Sequence, residues 1–175
     1  MRGEHKTRHT VHVRDLSARD EPGLRTMFRR LSRATIYERF HTPYSRVPEA
    51  MLAHLIGYGD GRSLVAVAGG EIVGHALYAG GPGGEAEIAL IVEDGWQSMG
   101  IGKLLLLGLA RKAAGRGVES FTGAVLGENR RVLGLVDAVF DGARHTLKDG
   151  SYDVSMPLRG LGSAPKPGQE IQPAA

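Results

Sequence analysis

The pattern of apolar and polar positions predicts a strand, a turn and a helix in the middle of the chain. Residues 85–92 alternate at first and are then continuously apolar from Ile88 to Val92, which is typical of a mostly buried strand. The Glu-Asp-Gly step at residues 93–95 ends this strand. Residues 100–115 then predict a helix, because they contain good helix formers and a leucine run, with cations near the C-terminal end.

Helical periodicity recurs in two segments of the first quarter. Residues 18–31 predict a helix that begins at Ser17 or Asp20. Its core-facing positions lie at helical spacing: Leu24, Met27, Phe28 and Leu31. Residues 31–40 predict a second helix with Ser32 as its N-cap. The apolar residues of that helix can share one face: Ile36, Tyr37 and Phe40.

The strands before the central helix follow from alternation and turn signals. A short first strand is predicted around residues 11–13, and a third helical segment at residues 48–56, where Pro48 lies near the start. Residues 63–68 and 71–79 predict a hairpin closed by a Gly-Gly turn. We therefore expect the three strands that precede the central helix to be consecutive and antiparallel.

The elements after the central helix complete a mixed sheet. Residues 119–126 predict a strand whose pairing with residues 85–92 is parallel, since a helix connects the two. Residues 128–140 predict a helix with four inward residues: Val132, Leu135, Val136 and Val139. A final hairpin is predicted around Asp149-Gly150. The order of elements is β-α-α-α-β-β-β-α-β-α-β-β.

Composition limits the classes that this chain can belong to. The 175 residues are 42% apolar and 23% charged, which suits one globular domain. The absence of Cys excludes a disulfide framework, a thiolate metal site and a Cys nucleophile. No apolar run approaches the ~18 residues of a membrane span, so we expect a cytoplasmic protein with no membrane partner. We place the domain at residues 11–158, between segments at 1–10 and 159–175 that we expect to be disordered.

Charge is unevenly distributed along the chain. Residues 1–46 hold 11 Lys and Arg against 5 Asp and Glu, while the net charge of the whole chain is only +3. This basic segment is either a solvated helical surface or a surface that recognises an acidic partner or phosphates. No nucleic-acid motif is found, so we expect no nucleic-acid partner. We also expect no metal, because the predicted first strand breaks the helical alignment of His5, His9 and His12.

The turn at residues 97–102, Gln-Ser-Met-Gly-Ile-Gly, has the properties of an anion site. The first amides of a helix have no acceptor within the helix and point beyond its start. Gly100 and Gly102 have no Cβ, so a large anion can approach the backbone, and the helix dipole favours its charge. A turn that binds nothing is the structural alternative.

Among the known phosphate-binding motifs, one fits this turn. A P-loop would need Ser or Thr after Lys103, and a dinucleotide fingerprint would need a third glycine. The Q-x-x-G-x-G pattern resembles the coenzyme A pyrophosphate loop of the GNAT superfamily of acyl-CoA-dependent N-acyltransferases. Two other segments agree with this resemblance: the Glu128-Asn129 step, and L-S-x-x-T-x-Y-x-R-F at residues 31–40, which resembles the signature of a subgroup that includes bacterial protein lysine acetyltransferases.

The resemblance covers residues 11–158 and implies a fold and a set of coenzyme contacts. It implies an α/β (α+β) single domain with a mixed central sheet, mostly antiparallel, one parallel splayed strand pair and about four flanking helices. It implies that backbone amides of the turn hold the pyrophosphate of acetyl-CoA, those of Ser98, Met99, Gly100, Ile101, Gly102 and Lys103, and that Gln97 also belongs to the coenzyme site. It further implies that backbone groups of Leu90, Ile91 and Val92, and the side chain of Asn129, bind the pantetheine arm. Arg130 and Arg131 could reach phosphate, but we expect them to be solvated.

Glu87 is the predicted general base. It lies ten residues before Gln97, one strand length upstream of the turn, and A-E-I-A at residues 86–89 resembles the strand that carries the base in several family members. Glu85 is the fallback, since it shares the same strand face at a period of two. Many members carry a Tyr acid about eight residues after the equivalent of Asn129; here residues 136–138 are Val-Asp-Ala. His75 is interpreted as a core histidine.

Two functions are compatible with these residues. The first is an acetyl-CoA-dependent N-acetyltransferase that acts on a primary amine, either a protein lysine side chain or a small molecule. The second is a sensor or pseudoenzyme that binds acyl-CoA without transfer. The acceptor, the acyl chain and the choice between a monomer and a homodimer are left open by the sequence.

Overall fold

The computed structural model describes residues 10–57 and 60–161, and within these ranges it contains a seven-stranded sheet and five α-helices. The strands are β1 (Val11–Asp15), β2 (Ser63–Ala68), β3 (Glu71–Ala79), β4 (Glu85–Val92), β5 (Ser120–Leu126), β6 (Arg144–Lys148) and β7 (Ser151–Pro157). The helices are α1 (Glu21–Arg30), α2 (Arg33–Phe40), α3 (Glu49–Ile56), α4 (Ile101–Ala114) and α5 (Arg130–Val139). Short 3-10 turns precede α1 and α4, at Ala18–Asp20 and Asp94–Trp96.

The predicted order of elements is confirmed, with five helices where about four were expected. Two details of the helices were wrong. Tyr37 is 38% exposed and does not share the buried side of α2 with Ile36. In α5 the fully buried positions include Leu133, which was not predicted, while Val132 and Leu135 are only partly buried. The physical reason is that these two side chains face a cleft, as described below.

The sheet divides the core in two. Its strand order is β1-β2-β3-β4-β5-β7-β6, and only β4 and β5 are parallel. One face packs on α4 and α5 through a cluster that includes Leu105, Leu109 and Phe121. The other face packs on α1, α2 and α3 through a second cluster that includes Met27 and Leu77. Because both faces are covered, the central strands are apolar on both sides rather than alternating.

The parallel pair β4 and β5 separates soon after it forms. The register contains three pairs, Glu85 with Ser120, Ala86 with Phe121 and Glu87 with Thr122. Both strands continue beyond these pairs, to Val92 and Leu126. The expected splay is therefore present, and it opens a cleft in the middle of the sheet.

Several arginines of the basic N-terminal segment form ion pairs within the protein. Arg14 contacts Asp20 at 2.7 Å, and Arg25 binds Glu21 at 2.9 Å. Arg30 donates to both carboxylate oxygens of Glu93, at 2.9 and 2.8 Å, and so ties α1 to the end of β4. These contacts favour the interpretation of the segment as a structural and solvated surface over one that recognises an acidic partner.

The predicted terminal disorder lies mostly outside the described residues. Thr10 and residues 159–161 are described, and Leu161 packs against the larger core cluster. Within the described ranges, no helix is both long and apolar enough to cross a membrane. The same residues contain no group of three His, Asp or Glu side chains that could hold a metal ion.

The environment of Asp20 predicts that the stability of the folded protein depends on pH. The Arg14 hydrogen bonds hold its pKa well below the ordinary value, with help from Ser17 and against the effect of burial. A lowered pKa stabilises the folded state above the unfolded pKa of about 4, and this contribution is lost as the pH falls through the folded value. We expect Asp20→Asn to lower the free energy of unfolding by about 1–2 kcal/mol at pH 7, and by less as the pH falls.

Urea unfolding of the wild-type protein and of Asp20→Asn, from neutral to acid pH, measures the difference in their free energies of unfolding. Asp15→Asn is the matched control, because the Asp15 pair with Lys112 is exposed and should change stability by less than about 0.5 kcal/mol. Equal losses in the two variants, or a loss for Asp20→Asn that does not vary with pH, would contradict the assignment.

Candidate active site

The cleft between β4 and β5 brings together most of the residues that the sequence singled out. Its floor and one wall are residues 88–92 of β4 with Thr35, Glu38 and Arg39 of α2. The opposite wall is formed by residues 123–125 of β5 and by side chains of α5 and β7: Asn129, Arg131, Val132, Leu135, Val136 and Met156. The turn between β4 and α4 closes one end, with Trp96, Gln97, Ser98, Gly100, Gly102 and Lys103.

Alternate peptide groups of β4 face this cleft. The amide of Glu93 donates to the carbonyl of Val73 at 2.9 Å, and with the antiparallel register this makes His75 and Ile91 a hydrogen-bonded pair. Ile91 therefore directs its backbone groups towards β3 and buries its side chain in the second core cluster. Leu90 and Val92 direct theirs towards the side from which β5 has departed. The geometry thus favours two of the three predicted backbone contacts.

The turn before α4 presents free amides at the end of the cleft. Gly100 is the N-cap of α4 with φ 82°, and no side chain caps the helix. The first amide with a partner is that of Leu104, which donates to Gly100. Among the described residues, the amides of Gly100, Ile101, Gly102 and Lys103 have no acceptor. Ser98 also has a positive φ, of 62°, which turns the chain sharply before the helix.

The two glycines of the turn serve different purposes. A Cβ on Gly100 would meet no heavy atom within 4 Å, so the left-handed backbone is what requires glycine there. A Cβ on Gly102 would lie 3.0 Å from Cδ2 of Leu135 on α5. Gly102 is therefore needed at least as much for the close packing of α4 against α5 as for the approach of an anion.

The side chain of Gln97 is a structural brace. Its Nε2 donates to the carbonyl of Val92 at 3.0 Å and to Oγ1 of Thr35 at 3.1 Å, while its Oε1 accepts from Arg131. Gln97 thus links the end of β4, helix α2 and helix α5. The predicted contact of this residue with a pyrophosphate would have to come from its backbone, because the side chain is already engaged.

Asp94 fixes the start of α2 to the turn. Its carboxylate accepts from the backbone and hydroxyl of Ser32 and from Oγ1 of Thr35, at 2.8 Å for the latter. Burial alone would raise the pKa of Asp94, but these hydrogen bonds outweigh it and hold the pKa below its ordinary value. Ser32 also accepts from the Thr35 amide as the predicted N-cap. The hydroxyl residues of the α2 motif therefore position the turn.

Asn129 is the N-cap residue of α5, and one of its two side-chain polar groups is already hydrogen-bonded. Its Oδ1 caps the helix by accepting from the amide of Val132 at 3.2 Å. The residue is 7% exposed, yet no side-chain polar atom of the described residues is both fully buried and unpartnered. The Nδ2 group is therefore open to the cleft that Asn129 lines, as the predicted hydrogen bond to an extended ligand would require.

Arg131 is exposed, as expected, but it also forms hydrogen bonds across the cleft. One Nη donates to Gln97, and the other donates to Glu38 on α2 at 3.0 Å. Its neighbour Arg130 is exposed, as expected. The sequence reasoning missed the contact because residues 38, 97 and 131 belong to three separate elements, and no local pattern relates their positions.

Glu87 does not line the cleft itself; it precedes Ile88, the β4 residue of the cleft that is furthest from the turn. It is exposed, it forms the last residue pair between β4 and β5, and it borders a neighbouring groove with Glu85, Thr122 and Asp153. Its negative charge acts on Arg39, a half-buried cleft residue that makes no ion pair with any described acid. Burial lowers the pKa of Arg39 to about 10, and Glu87 offsets part of this effect. Arg39 therefore remains charged at neutral pH, one helical turn after Thr35.

Two other titratable groups are engaged away from the cleft. His75 is 3% exposed, its Nε2 lies 2.7 Å from Oγ of Ser63, and burial and Arg39 lower its pKa to about 3. This matches the interpretation of His75 as a core histidine. Asp137, at the place where a Tyr acid was sought, is exposed and lies 2.6 Å from Nε2 of His145. Neither Asp137 nor His145 lines the cleft between β4 and β5.

A comparison with protein families gives one match. Residues 26–140 match the model of the acetyltransferase (GNAT) family. The matched segment contains α2, β4, the turn, α4 and α5, and so includes almost every residue of the cleft. No curated protein sequence matches the chain significantly.

Solved structures with the same fold cover nearly the whole chain. The GNAT domain of PAT from S. lividans has a TM-score of 0.75 at 25% identity, and the match covers 86% of this chain and 94% of that one. YncA from Salmonella typhimurium, crystallised with its cofactor acetyl-CoA, has a TM-score of 0.65 at 17% identity, over 90% and 99%. The ribosomal-protein-S18-alanine N-acetyltransferase of Escherichia coli has a TM-score of 0.63 at 17% identity, over 87% and 96%.

The hydrogen bonds between α2 and the turn predict that the protein loses stability when the Thr35 hydroxyl is removed. Thr35 is 6% exposed and its Oγ1 bonds both Asp94 and Gln97. We expect the near-isosteric Thr35→Val to lower the free energy of unfolding by about 1–3 kcal/mol, because the buried hydroxyl loses its hydrogen bonds to the Asp94 carboxylate and the Gln97 amide. Urea unfolding at neutral pH measures this loss.

Thr26→Val is the matched control for this substitution. The Thr26 hydroxyl donates to the carbonyl of Pro22 within α1 and joins no other element. Its replacement should change stability by less than about 0.5 kcal/mol. A Thr35→Val variant as stable as the control would show that the hydroxyl network does not hold the turn in place.

Proposed function

Because the chain belongs to the acetyltransferase (GNAT) family, we propose that it transfers the acetyl group of acetyl-CoA to the side chain of a protein lysine, with Glu87 as the general base. It is an acyltransferase by its family. The proposal adds the acceptor, the base and the coenzyme contacts. The single observation that carries the coenzyme contacts is the row of unpaired amides, from Gly100 to Lys103, at the closed end of the cleft between β4 and β5.

The residues around the cleft fit an extended coenzyme. Unpaired N–H groups at the start of a 14-residue helix suit the diphosphate, since the helix dipole adds a favourable field. The backbone groups of Leu90 and the amide of Val92 are open to the amides of a pantetheine arm, as a strand edge is to a peptide, while the Val92 carbonyl is bonded to Gln97. The open Nδ2 of Asn129 offers a further donor. The acetyl-CoA bound to YncA supports this choice of coenzyme.

Glu87 has the chemistry that the transfer needs. A lysine side chain is largely an ammonium at neutral pH, and the amine must lose a proton before or as it attacks the thioester carbonyl. The amine nitrogen bonds to the carbonyl carbon and charge moves to the carbonyl oxygen; the C–S bond then breaks as the carbonyl re-forms, the amine proton passes to the carboxylate directly or through water, and the thiolate leaves. A thiolate is a good leaving group, so the reaction does not require a tyrosine acid at residue 137.

The choice of lysine rests on two similarities. The segment at residues 31–40 resembles the signature of the lysine acetyltransferase subgroup, and the GNAT domain of PAT from S. lividans is 25% identical.

A cell extract incubated with the protein and isotope-labelled acetyl-CoA, followed by mass spectrometry, tests the acceptor. Label on lysine side chains supports the proposal, whereas label confined to small amines would redirect it. If the protein binds the coenzyme but releases no free coenzyme A thiol with any tested amine, the sensor function is favoured.

Replacement of the base should separate chemistry from coenzyme binding. We expect Glu87→Gln to lower kcat by about 10²–10⁴-fold at neutral pH, because a positioned general base contributes by that factor. The dissociation constant of coenzyme A should change little, since Glu87 lies outside the lining of the cleft, beyond the β4 residues that are furthest from the turn. Thiol release measures kcat, and calorimetry measures binding.

Glu85→Gln is the control for the loss of one carboxylate on the same strand face. It should reduce kcat by less than about threefold, because the group is one strand repeat further from the cleft. If Glu85→Gln shows the large loss and Glu87→Gln does not, the base is Glu85. If neither does, no carboxylate of this strand acts as the base.

Gly100 provides a test of the proposed diphosphate site, which is formed by the amides at the start of α4. Gly100→Val forces a β-branched residue into a backbone with φ 82° and places a side chain at the start of α4. We expect the affinity for coenzyme A to fall by at least about tenfold, because the amides lose their orientation and access. Gly95→Val is the control, since Gly95 is exposed in the preceding 3-10 turn with open space around it. Unchanged affinity in Gly100→Val would show that the amides at the start of α4 do not bind the diphosphate.

A further inference from the structure

Helix α5 places Arg131 beside the turn that precedes α4. The approach of Leu135 to Gly102 shows that this side of α5 lies against the first turn of α4. Arg131 precedes Leu135 by four residues, so the two side chains share one helix face. Both residues line the same cleft as Gly100 and Lys103. The guanidinium is thus held at the end of the cleft where the free amides lie.

The present partners of Arg131 can be exchanged at low cost. Its ion pair with Glu38 connects α5 to α2 across the cleft, and the two side chains are 44% and 33% exposed. Pairs of this exposure contribute little stability, so a stronger anion can replace the carboxylate. Gln97 stays fixed without Arg131, because it is also bonded to Val92 and Thr35. A guanidinium has five N–H donors and binds phosphate oxygens bidentately.

We propose that Arg131 is a ligand of the coenzyme diphosphate and that Glu38 competes with the coenzyme for it. This inference rests on the coenzyme site of the proposed function. Arrival of the diphosphate draws the guanidinium from Glu38 towards the amides at the start of α4. The carboxylate of Glu38 is then released at the rim of the cleft, on the wall formed by α2.

The proposal predicts opposite effects for the two members of the pair. Arg131→Met removes a ligand, so the dissociation constant of coenzyme A should rise about tenfold, the scale of a lost charge-assisted contact. Glu38→Gln removes the competitor, so the dissociation constant should fall by about twofold or more. Arg130→Met is the matched control: it deletes the same charge from the adjacent, exposed position and should change the constant by less than about twofold.

Titration calorimetry with coenzyme A and with dephospho-coenzyme A, at one salt concentration, tests these signs. The two ligands share the diphosphate and differ in the 3′-phosphate. Equal losses in Arg131→Met for both ligands support contact with the diphosphate. A loss for coenzyme A alone would assign Arg131 to the 3′-phosphate and overturn the proposal.

Two further outcomes would also overturn it. Unchanged affinity in Arg131→Met would remove Arg131 from the site. Weaker binding in Glu38→Gln, matching that of Arg131→Met, would make the pair a fixed bridge instead of a competing contact. Thermal melting of each variant confirms that it is folded. If the wild-type protein binds neither ligand, the proposed function itself fails, which is distinct from a failure of this inference alone.

Discussion

The separation of β4 from β5 after three residue pairs is the constraint on which the rest of the site depends. Two parallel strands that stayed together would consume the backbone groups of Leu90 and Val92 in the sheet and would leave no cleft. Because they diverge, the backbone groups of Leu90 and the amide of Val92 face a space bounded by α5 on one side and α2 on the other, while Gln97 bonds the Val92 carbonyl. Unpaired peptide groups are unfavourable away from water, so the open edge persists only where solvent or a ligand can reach it. An extended ligand rich in amide groups is the natural partner for such an edge.

A second constraint keeps the turn at the end of this cleft. Asp94 and Gln97 bond the hydroxyl residues of α2, Ser32 and Thr35, across about sixty positions of sequence. The hydrogen bonds from Ser32 and Thr35 also stabilise the charge on Asp94, so the carboxylate acts as a second cap for α2. Helix α2 is therefore part of the wall of the site as well as a covering helix. This explains in physical terms why hydroxyl residues stand in the motif at residues 31–40.

The sequence predicted the order of elements because period, caps and glycine turns are local signals. It also placed the turn at residues 97–102 and the parallel pair, since a helical crossover admits few alternatives. What it could not provide were relations between side chains of distant elements. The brace made by Gln97 and the contact of Arg131 with Glu38 depend on packing that no window of sequence contains. The direction of the Ile91 backbone likewise follows only from the hydrogen-bonding register of β3 and β4. Glu87 remains a prediction from resemblance.

The arginines of the described residues differ in how their charge is compensated. Arg14, Arg25, Arg30 and Arg131 each have a carboxylate partner, whereas Arg39 is half-buried with none within ion-pair distance among the described acids. Its charge is incompletely solvated, it lines the cleft from α2, and it interacts electrostatically with the proposed base, Glu87. His75, behind it, stays neutral because burial and Arg39 both disfavour its protonation. A desolvated cation of this kind favours any negative charge that develops nearby, and acyl transfer develops one first on the carbonyl oxygen and then on the departing sulfur. The part of the cleft that Arg39 lines is therefore electrostatically suited to the proposed reaction, although residue 137 is not a tyrosine.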